Sequence, residues 1–550
     1  MSLTVNNQKY VATERITIPL QKTLIGTGFL EDAIFWSKII LAVAIGFQCY
    51  FFWEEANLAA IAYVAVAWLI LTTFFMTEGM LKKYPLSALI IIGFTSTQFY
   101  FPLLFTSMEF KPLVYNLDLP YEVFFHSAAA LAVLFLAHYL YRFLPTQTQR
   151  SNSILKKLGF FTPPTDMQLW LMGGLGLLAN IYGFVYTKGS ASDVTGSAAD
   201  KIIQALYSFS YAPFFIPFKA LFGSSKKTPK SVITWLIVFT IALFAISMAR
   251  NSRGVFMLGF TSLGFSYMLG LLLGIFKVPV VNLKIVVIST VLIWLLLGPF
   301  SDLGTAMLIV RGERNDISKT ELIQQTIVAF QNKEAIRARE AADKVYVSDW
   351  DEKYLDNIFT ARFANIKFND ASLVQGRIIG DNNPDMRSFT INYVWGALPE
   401  PVLKLVKPDV DKEMLYAQSF GDYIYSLAGA GKSSYGGFRV GHISGTGMAG
   451  FGWWYLAILG FSMVPVFLLF DKLSIKGNLR YYRGKITQRN TVFSVCGLLA
   501  LTSVFQYLPT ESVAGPFTFL IRGYLQMLLL YILLFHITKY IASLLSKVYE

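Results

Sequence analysis

Arginine residues occur in two pairs where predicted apolar helices end. Arg250 and Arg253 stand in the segment Ala-Arg-Asn-Ser-Arg-Gly, and Arg311 and Arg314 follow a later apolar stretch. A guanidinium group keeps its charge at physiological pH and offers parallel N–H donors that match phosphate oxygens. We therefore predict phosphate binding by both pairs. Ion pairing with neighbouring carboxylates is the alternative, and the sequence leaves it open.

His442 is a further candidate for chemistry. It stands in the segment Arg439-Val-Gly-His-Ile-Ser-Gly-Thr-Gly447, directly before an apolar stretch. An imidazole at such a position is suited to accept a proton from an attacking group or to donate to a leaving group. A histidine that only makes structural hydrogen bonds is the alternative. Other arginines of the same long polar segment rank lower as candidates: Arg362, Arg377, Arg387 and Arg439.

Three other patterns are interpreted as structural or left open. The segment Ser426–Ser433 resembles a nucleotide phosphate loop, but serine replaces the first glycine of that motif. Glu54 and Glu55 are interpreted as solvated residues at a membrane interface. Arg522 lies within the last apolar stretch, where a charge must face a protein interior or a wet cavity. Both a structural pair and a cavity-facing position stay open for it.

The elements that position these residues are predicted to be membrane helices. The chain has 550 residues, of which 54% are hydrophobic and only 15% are charged. The apolar residues cluster in stretches of about 20, the length of a helix that crosses the hydrocarbon core of a bilayer. The predicted spans are residues 34–52, 57–76, 86–106, 121–143, 167–187, 202–222, 231–249, 254–276, 281–300, 447–470, 491–508 and 516–537.

Basic residues assign an orientation to these spans. Short connections on one predicted side hold 22 Lys and Arg residues, whereas those on the other side hold five. Basic residues mark the cytoplasmic side of short loops. This bias predicts cytoplasmic termini and places residues 301–446 outside the cytoplasm. It also explains the net charge of +13 without a nucleic-acid partner.

The fold class predicted from these patterns is an all-α polytopic membrane protein with one large, partly helical extracytoplasmic loop. The predicted divisions are a cytoplasmic N-terminal segment (1–33), nine spans (34–300), the extracytoplasmic loop (301–446), three spans (447–537) and a cytoplasmic tail (538–550). Within the loop, a capping motif at Ser318–Glu321 predicts a helix to about Lys344. Apolar spacing predicts a second helix over Leu355–Phe368. Both are interpreted as parts of a solvated cap over the bundle.

This layout resembles the bacterial O-antigen and exopolysaccharide repeat-unit polymerases (the Wzy-type family), which are related to O-antigen ligases. The resemblance is carried by the number of spans and by one dominant external loop late in the chain. The turn Asn251-Ser252-Arg253-Gly254 and the His442 segment, which runs into Gly450-Phe-Gly-Trp-Trp454, are also similar. The resemblance covers the layout from the fifth span to the tenth.

The resemblance implies a membrane glycosyltransferase of the GT-C type that needs no cofactor and no metal. Its substrates would be oligosaccharide repeat units linked through pyrophosphate to undecaprenyl lipid, at the outer face of the bacterial cytoplasmic membrane. Implied partners are membrane lipids and other polysaccharide assembly proteins, such as a flippase and a chain-length regulator. The implied catalytic residues are Arg253, Arg314 and His442. The implied substrate-binding residues are Arg250, Arg311, Arg377 and Arg439.

Three alternatives stay open at the level of the sequence. An O-antigen ligase would transfer finished polymer to a final acceptor. A flippase would move the same lipid-linked units across the membrane, although transporters favour internal repeats and short loops that this chain lacks. A non-catalytic scaffold would use the long loop to bind a partner.

Overall fold

The computed structural model describes most of the chain. The described residues are 27–144, 153–183, 203, 205–249, 253–277, 283–310, 317–345, 350–357, 360–416, 418–435, 437, 439–476, 480–482, 485–487, 491–506 and 510–548. Almost all of the regular structure in these ranges is helical.

The α-helices follow one another along the chain with short connections. In the first half they are Thr27–Phe51, Glu55–Phe74, Glu78–Lys83, Pro85–Thr95, Phe101–Met108, Pro120–Tyr141, Ile154–Lys157, Asp166–Ile181, Ser231–Ala249 and Arg253–Leu272. In the second half they are Leu283–Leu297, Pro299–Ile309, Lys319–Gln331, Lys333–Val345, Ile366–Ile379, Pro384–Gly396, Glu400–Val406, Lys412–Tyr416, Phe420–Tyr425, Ile443–Phe451, Trp454–Asp471, Val495–Gln506, Ala514–Thr518 and Tyr524–Val548.

Other helix types and a few strands complete the described structure. Segments of 3₁₀-helix are Tyr207–Phe222, Thr360–Phe363 and Gly431–Ser434, and π-helical segments are Ser96–Tyr100, Ser426–Ala430 and Phe519–Gly523. Four short strands form two antiparallel pairs, with Ser474–Lys476 against Thr491–Phe493 and Arg480–Tyr482 against Lys485–Thr487. The strands lie in a segment that the sequence analysis predicted only as a basic loop.

Eight helices of the described chain are long and apolar enough to cross a membrane. A polytopic, mainly helical membrane protein is therefore supported. These spans are Phe29–Phe51, Glu55–Phe74, Pro85–Met108, Pro120–Tyr141, Ser231–Met248, Ile285–Ile309, Trp454–Asp471 and Ala514–Leu545. Each of them overlaps one of the twelve predicted spans.

The other four predicted spans contain shorter or less regular helices. Asp166–Ile181 has 16 residues, and Val495–Gln506 has 12. Tyr207–Phe222 is a 3₁₀ segment, because Pro213 and Pro217 lack the N–H groups that an α-helix requires there. Within Arg253–Leu272, the apolar stretch described in full is Leu263–Leu272.

Two of the predicted span boundaries differ in the structure. The helix before the long polar segment does not end at Phe300: after a break at Gly298 it continues as Pro299–Ile309. The tenth predicted span, 447–470, is divided at Gly452, which has a φ of +54°. Residues 443–451 form a separate short helix, and the span begins at Trp454. We call residues 310–453 the interspan segment.

One predicted helix of the interspan segment is found in two parts, and the other prediction is wrong. Ser318 accepts a hydrogen bond from the Glu321 N–H at 3.2 Å, as the capping motif predicts. That helix ends at Gln331, and Asn332 caps a second helix, Lys333–Val345. By contrast, the described part of Leu355–Phe368 is coil, a 3₁₀ turn at Thr360–Phe363 and only the beginning of the helix Ile366–Ile379.

The coil before this helix has a physical cause in the loop that it contacts. The Asp356 N–H donates to the Glu109 carboxylate at 2.8 Å, and the Tyr354 hydroxyl donates to the Leu113 carbonyl at 2.6 Å. Asn116 donates to the Lys353 carbonyl at 2.7 Å. These bonds to residues 109–116 replace the internal bonds that a helix would make.

Candidate functional site

Helix Ile366–Ile379 is embedded in the protein instead of lying on its surface. Ten of its 14 residues are buried. It crosses helix Ile443–Phe451 at very short range, because a Cβ atom at Gly445 would lie only 2.1 Å from the Ser372 carbonyl oxygen. This part of the predicted loop is therefore not a solvated cap: it forms a common core with the membrane bundle.

A buried ion pair fixes the embedded helix. Lys367 and Asp370 have 2% and 0% of their side chains exposed, and Lys367 Nζ lies 2.9 Å from the Asp370 carboxylate. Asp370 also accepts hydrogen bonds from the N–H groups of Asp118 and Leu119, at 3.2 and 2.8 Å. Leu119 is the N-cap of span Pro120–Tyr141. The carboxylate thus caps a membrane helix and holds it against the interspan segment.

A π-helical turn in span Pro85–Met108 provides polar contacts to the same helices. Pro102 has no N–H to donate to the carbonyl of Gln98, so the helix widens at Ser96–Tyr100. The Thr97 carbonyl there accepts from the Asn365 N–H at 2.9 Å. The Gln98 side chain is fully buried and reaches both Ser127, at 3.2 Å, and His442.

His442 is the N-cap of helix Ile443–Phe451, and only 1% of it is exposed. Its Nδ1 accepts from the Ser444 N–H at 3.3 Å, and its Nε2 lies 3.1 Å from the Gln98 amide. A neutral imidazole has one acceptor nitrogen, so Nε2 carries the proton when Nδ1 accepts. Both ring nitrogens are engaged, and proton abstraction by His442 would first require one of these bonds to break.

Burial keeps this imidazole uncharged. Burial, together with the charge of the nearby His126, lowers the pKa of His442 to about 3. His442 is consequently neutral throughout the physiological pH range, and its bonding favours a role as a hydrogen-bond donor that fixes local structure.

A small pocket lies beside His442. It is lined by Arg362, Asn365 and Phe368 from the start of the embedded helix and by Val440, Gly441, His442 and Thr510 from the two segments that face it. Ile443 donates its N–H to the Thr510 carbonyl at 2.7 Å, which ties these segments together. A cation, a histidine and backbone polar groups thus meet where the interspan segment joins the bundle.

The predicted arginines of the interspan segment are placed differently from one another. Arg377 forms an exposed ion pair with Glu122. Arg439 pairs with the buried carboxylate of Asp422 at 3.0 Å, and its guanidinium lies 4.7 Å from the ring centre of Tyr425. Neither residue lines the pocket around His442. Arg362, which ranked lower in the sequence analysis, does line it.

Other predicted arginines give less geometry. Arg250, Arg311 and Arg314 lie outside the described residues. Arg253 is the first residue of helix Arg253–Leu272, as predicted for the opening of a membrane helix, but its side chain is outside the description. Their phosphate-binding roles stay predictions. Arg522 donates to Gln526 at 2.9 Å, within a π-helical turn.

The glycine-rich segment Ser426–Ser433 has no phosphate-loop geometry. A phosphate loop runs from a strand into the N-terminus of a helix. Here a π-helical turn at Ser426–Ala430 is followed by a single 3₁₀ turn at Gly431–Ser434, and Gly429 has a φ of +119°. The structure therefore agrees with the interpretation of this segment as a glycine-rich loop.

Several residues of this region carry no signal in the sequence. Gln98, Ser127 and Asn369 lie in different helices, and Asn369 donates to Ser127 at 2.9 Å. The Asn369 Oδ1 and Ser444 Oγ atoms are buried without a hydrogen-bond partner. Single polar residues inside apolar stretches were treated as packing positions, because only the folded chain shows that they converge.

Another serine and histidine approach each other at the opposite end of span Pro120–Tyr141. Ser87 Oγ lies 3.0 Å from His138 Nε2 and donates to Asp471. In a hydrolytic triad the carboxylate would contact the histidine. Here it contacts the serine, the N–H groups of Leu86 and Ser87 at 3.0 Å and the Tyr141 hydroxyl at 2.9 Å. Asp471 is a buried helix cap, and the group is structural.

Comparisons with known proteins add no family to this description. No protein-family model, curated protein or solved structure matches the chain. Among the described residues, no group of three or more His, Cys, Asp or Glu side chains is arranged to hold a metal ion.

The burial of His442 predicts a specific loss of stability in mild acid. The pKa of a histidine is near 6.5 when unfolded and about 3 for His442 when folded. Below pH 6.5 the unfolded state therefore binds a proton that the folded state excludes, and stability falls with pH. Between pH 6.5 and 5 we expect His442 to contribute a loss of roughly 2 kcal/mol in the free energy of unfolding.

The measurement compares wild type with His442→Gln in SDS unfolding titrations at pH 7 and pH 5. The glutamine variant is expected to be less stable at pH 7 but to lose less stability on acidification. An identical pH dependence for both proteins would contradict the assignment of His442 as a buried, neutral residue.

Proposed function

We propose that this protein is a polymerase of lipid-linked oligosaccharides. It joins undecaprenyl-pyrophosphate-linked repeat units at the outer face of the bacterial cytoplasmic membrane. In this proposal both termini are cytoplasmic and the interspan segment lies outside. The observation that carries it is the pocket in which Arg362 and His442 meet, where the interspan segment joins the membrane bundle.

The reaction makes two demands on such a site. The bond between the sugar C1 and the pyrophosphate oxygen breaks, and C1 forms a bond to a hydroxyl oxygen of the acceptor sugar. Negative charge grows on the departing pyrophosphate, and the acceptor hydroxyl loses its proton to a base. A guanidinium placed at the leaving group stabilises that charge.

Arg362 is assigned to the pyrophosphate in this proposal. The predicted roles of Arg250, Arg253, Arg311 and Arg314 are retained beside it. Because both nitrogens of His442 are engaged, the proposal gives His442 the task of shaping the pocket wall. A carboxylate of the interspan segment is then the base, as the sequence analysis allowed.

A gene deletion tests the function directly. The size distribution and the anchor of surface polysaccharide are measured in cells that lack the gene. Loss of long chains while single repeat units still reach the surface supports the polymerase. Long chains that accumulate on the lipid carrier identify a ligase, and repeat units retained in the cytoplasm identify a flippase.

Substitution of Arg362 tests the site. We expect Arg362→Ala to slow polymer formation by about 100-fold or more, the size of effect seen when one charge-stabilising group is removed from an active site. Arg362→Lys should restore part of the rate, because it keeps the charge but loses the bidentate geometry. The rate is measured with purified protein in nanodiscs and lipid-linked oligosaccharide as substrate.

Arg337→Ala is the matched control. Arg337 belongs to the same segment, is exposed and lies in helix Lys333–Val345. It should polymerise at the wild-type rate. Equal rates for Arg362→Ala and Arg337→Ala, at equal levels of folded protein, would remove Arg362 from the mechanism.

A further inference from the structure

An exposed aromatic surface lies on the other side of the embedded helices. Trp453 is 51% exposed and stacks in parallel on the buried ring of His126, with ring centres 4.8 Å apart and planes 4° apart. Phe125 is 47% exposed and meets the Trp453 ring edge-on at 5.9 Å. One turn earlier on the same helix, Glu122 pairs with Arg377. We call these five residues the Trp453 surface.

The Trp453 ring is held in place from behind and from below. The His126 ring on which it stacks is fixed by a hydrogen bond between Nδ1 and the Tyr455 hydroxyl at 2.9 Å. The preceding Gly452 has a φ of +54°, and a Cβ there would lie 2.9 Å from the Asn382 side chain. An indole that is ordered in this way loses little conformational entropy when a ligand covers its free face.

The neighbouring charges indicate that this face is in water. Glu122 and Arg377 have 39% and 57% of their side chains exposed. Charged side chains that face lipid are costly, so an ion pair with this exposure favours an aqueous position. Anchoring in the bilayer interface therefore explains Trp453 less well than its neighbour Trp454, which begins the span and is 74% exposed.

An open aromatic face beside a carboxylate and a guanidinium matches the two sides of a sugar ring. The axial C–H groups of a pyranose form an apolar face that packs on an indole. Its hydroxyl groups accept hydrogen bonds from a guanidinium and donate them to a carboxylate. A free phosphate or an acyl chain would use only one of these two features.

We propose that the Trp453 surface binds the sugar rings of the lipid-linked oligosaccharide. This inference rests on the proposed function and extends it. The surface connects to the pocket through His126 and Tyr455, which lies in the span that follows helix Ile443–Phe451. Arg377 then contacts sugar hydroxyls, whereas the sequence analysis assigned it to substrate binding without distinguishing sugar from phosphate.

The test measures binding of a soluble probe to the full-length protein in nanodiscs. The probe is the oligosaccharide released by mild acid from the lipid carrier of the same cells, and titration calorimetry gives its affinity. Trp453→Ala is expected to weaken binding about tenfold or more, while Trp453→Phe keeps most of it. Arg377→Gln should weaken binding in the same direction. Trp454→Ala, which changes an exposed tryptophan next in sequence, should bind as the wild type does.

Each outcome has a separate meaning for this inference and for the proposed function. If Trp453→Ala and Trp454→Ala both bind like the wild type, or if the wild type binds no oligosaccharide, the inference is overturned. The deletion strain decides the proposed function independently, through the length of its polysaccharide chains. Trp453-dependent binding together with normal chains in the deletion strain would support the surface and reject the polymerase.

Discussion

Replacing Asp370 by alanine is expected to destabilise the protein by about 3–5 kcal/mol, the cost of leaving a buried charge without its partner. The Lys367 ammonium would lose its carboxylate in a site where only 2% of the lysine side chain is exposed. The Asp118 and Leu119 N–H groups would lose their acceptor at the start of a membrane helix. The free energy of unfolding is measured by SDS titration in mixed micelles.

Two variants separate the buried pair from ion pairs in general. Glu400→Ala removes an exposed carboxylate that lies 3.7 Å from both Lys404 and Lys412, and it should cost less than about 1 kcal/mol. The double variant Lys367→Met/Asp370→Asn removes both charges and keeps an acceptor for the two N–H groups. It should recover much of the stability that Asp370→Ala loses. If Asp370→Ala is no more harmful than Glu400→Ala, the pair does not hold the embedded helix.

Gly445→Ala is the second change with a large expected effect. Its Cβ would lie 2.1 Å from the Ser372 carbonyl oxygen and 2.2 Å from the carbonyl carbon. Backbone atoms cannot rotate away as a side chain can, so helices Ile366–Ile379 and Ile443–Phe451 must separate. We expect a loss of several kcal/mol in the free energy of unfolding. Polymer formation should fall as well, because His442 begins one of the two helices.

Gly174→Ala is the control for this substitution. Gly174 lies within helix Asp166–Ile181, and a Cβ at this position meets no atom within 4 Å. Alanine has a higher helix propensity than glycine, so this variant should be as stable as the wild type or more stable by up to about 1 kcal/mol. Wild-type stability of Gly445→Ala would show that the two helices do not approach as closely as described.

Hydropathy and charge predicted the membrane character of the chain, because a bilayer imposes a length and a composition on every helix that crosses it. The eight long apolar helices all overlap predicted spans. The prediction was weaker where helices are short or broken. Tyr207–Phe222 is apolar enough to resemble a span, but its two prolines change the helix type.

Within the interspan segment, local signals and tertiary contacts had different weight. Ser318 caps a helix as predicted, since a cap depends only on neighbours in sequence. The predicted helix from Leu355 failed, because residues 354–356 bond to a loop more than 230 positions earlier in the chain. No local pattern contains that information.

What the sequence determined by itself is therefore the kind of protein and the residue types available for its chemistry. Span lengths, basic loops and caps depend on near neighbours and on the solvent, so one sequence is enough to recognise them. The tertiary structure decided that Lys367 and Asp370 are buried together, that Gln98 reaches His442 and that Arg362 shares their pocket. These contacts join residues from separate helices, and only the packing of those helices determines which polar groups meet.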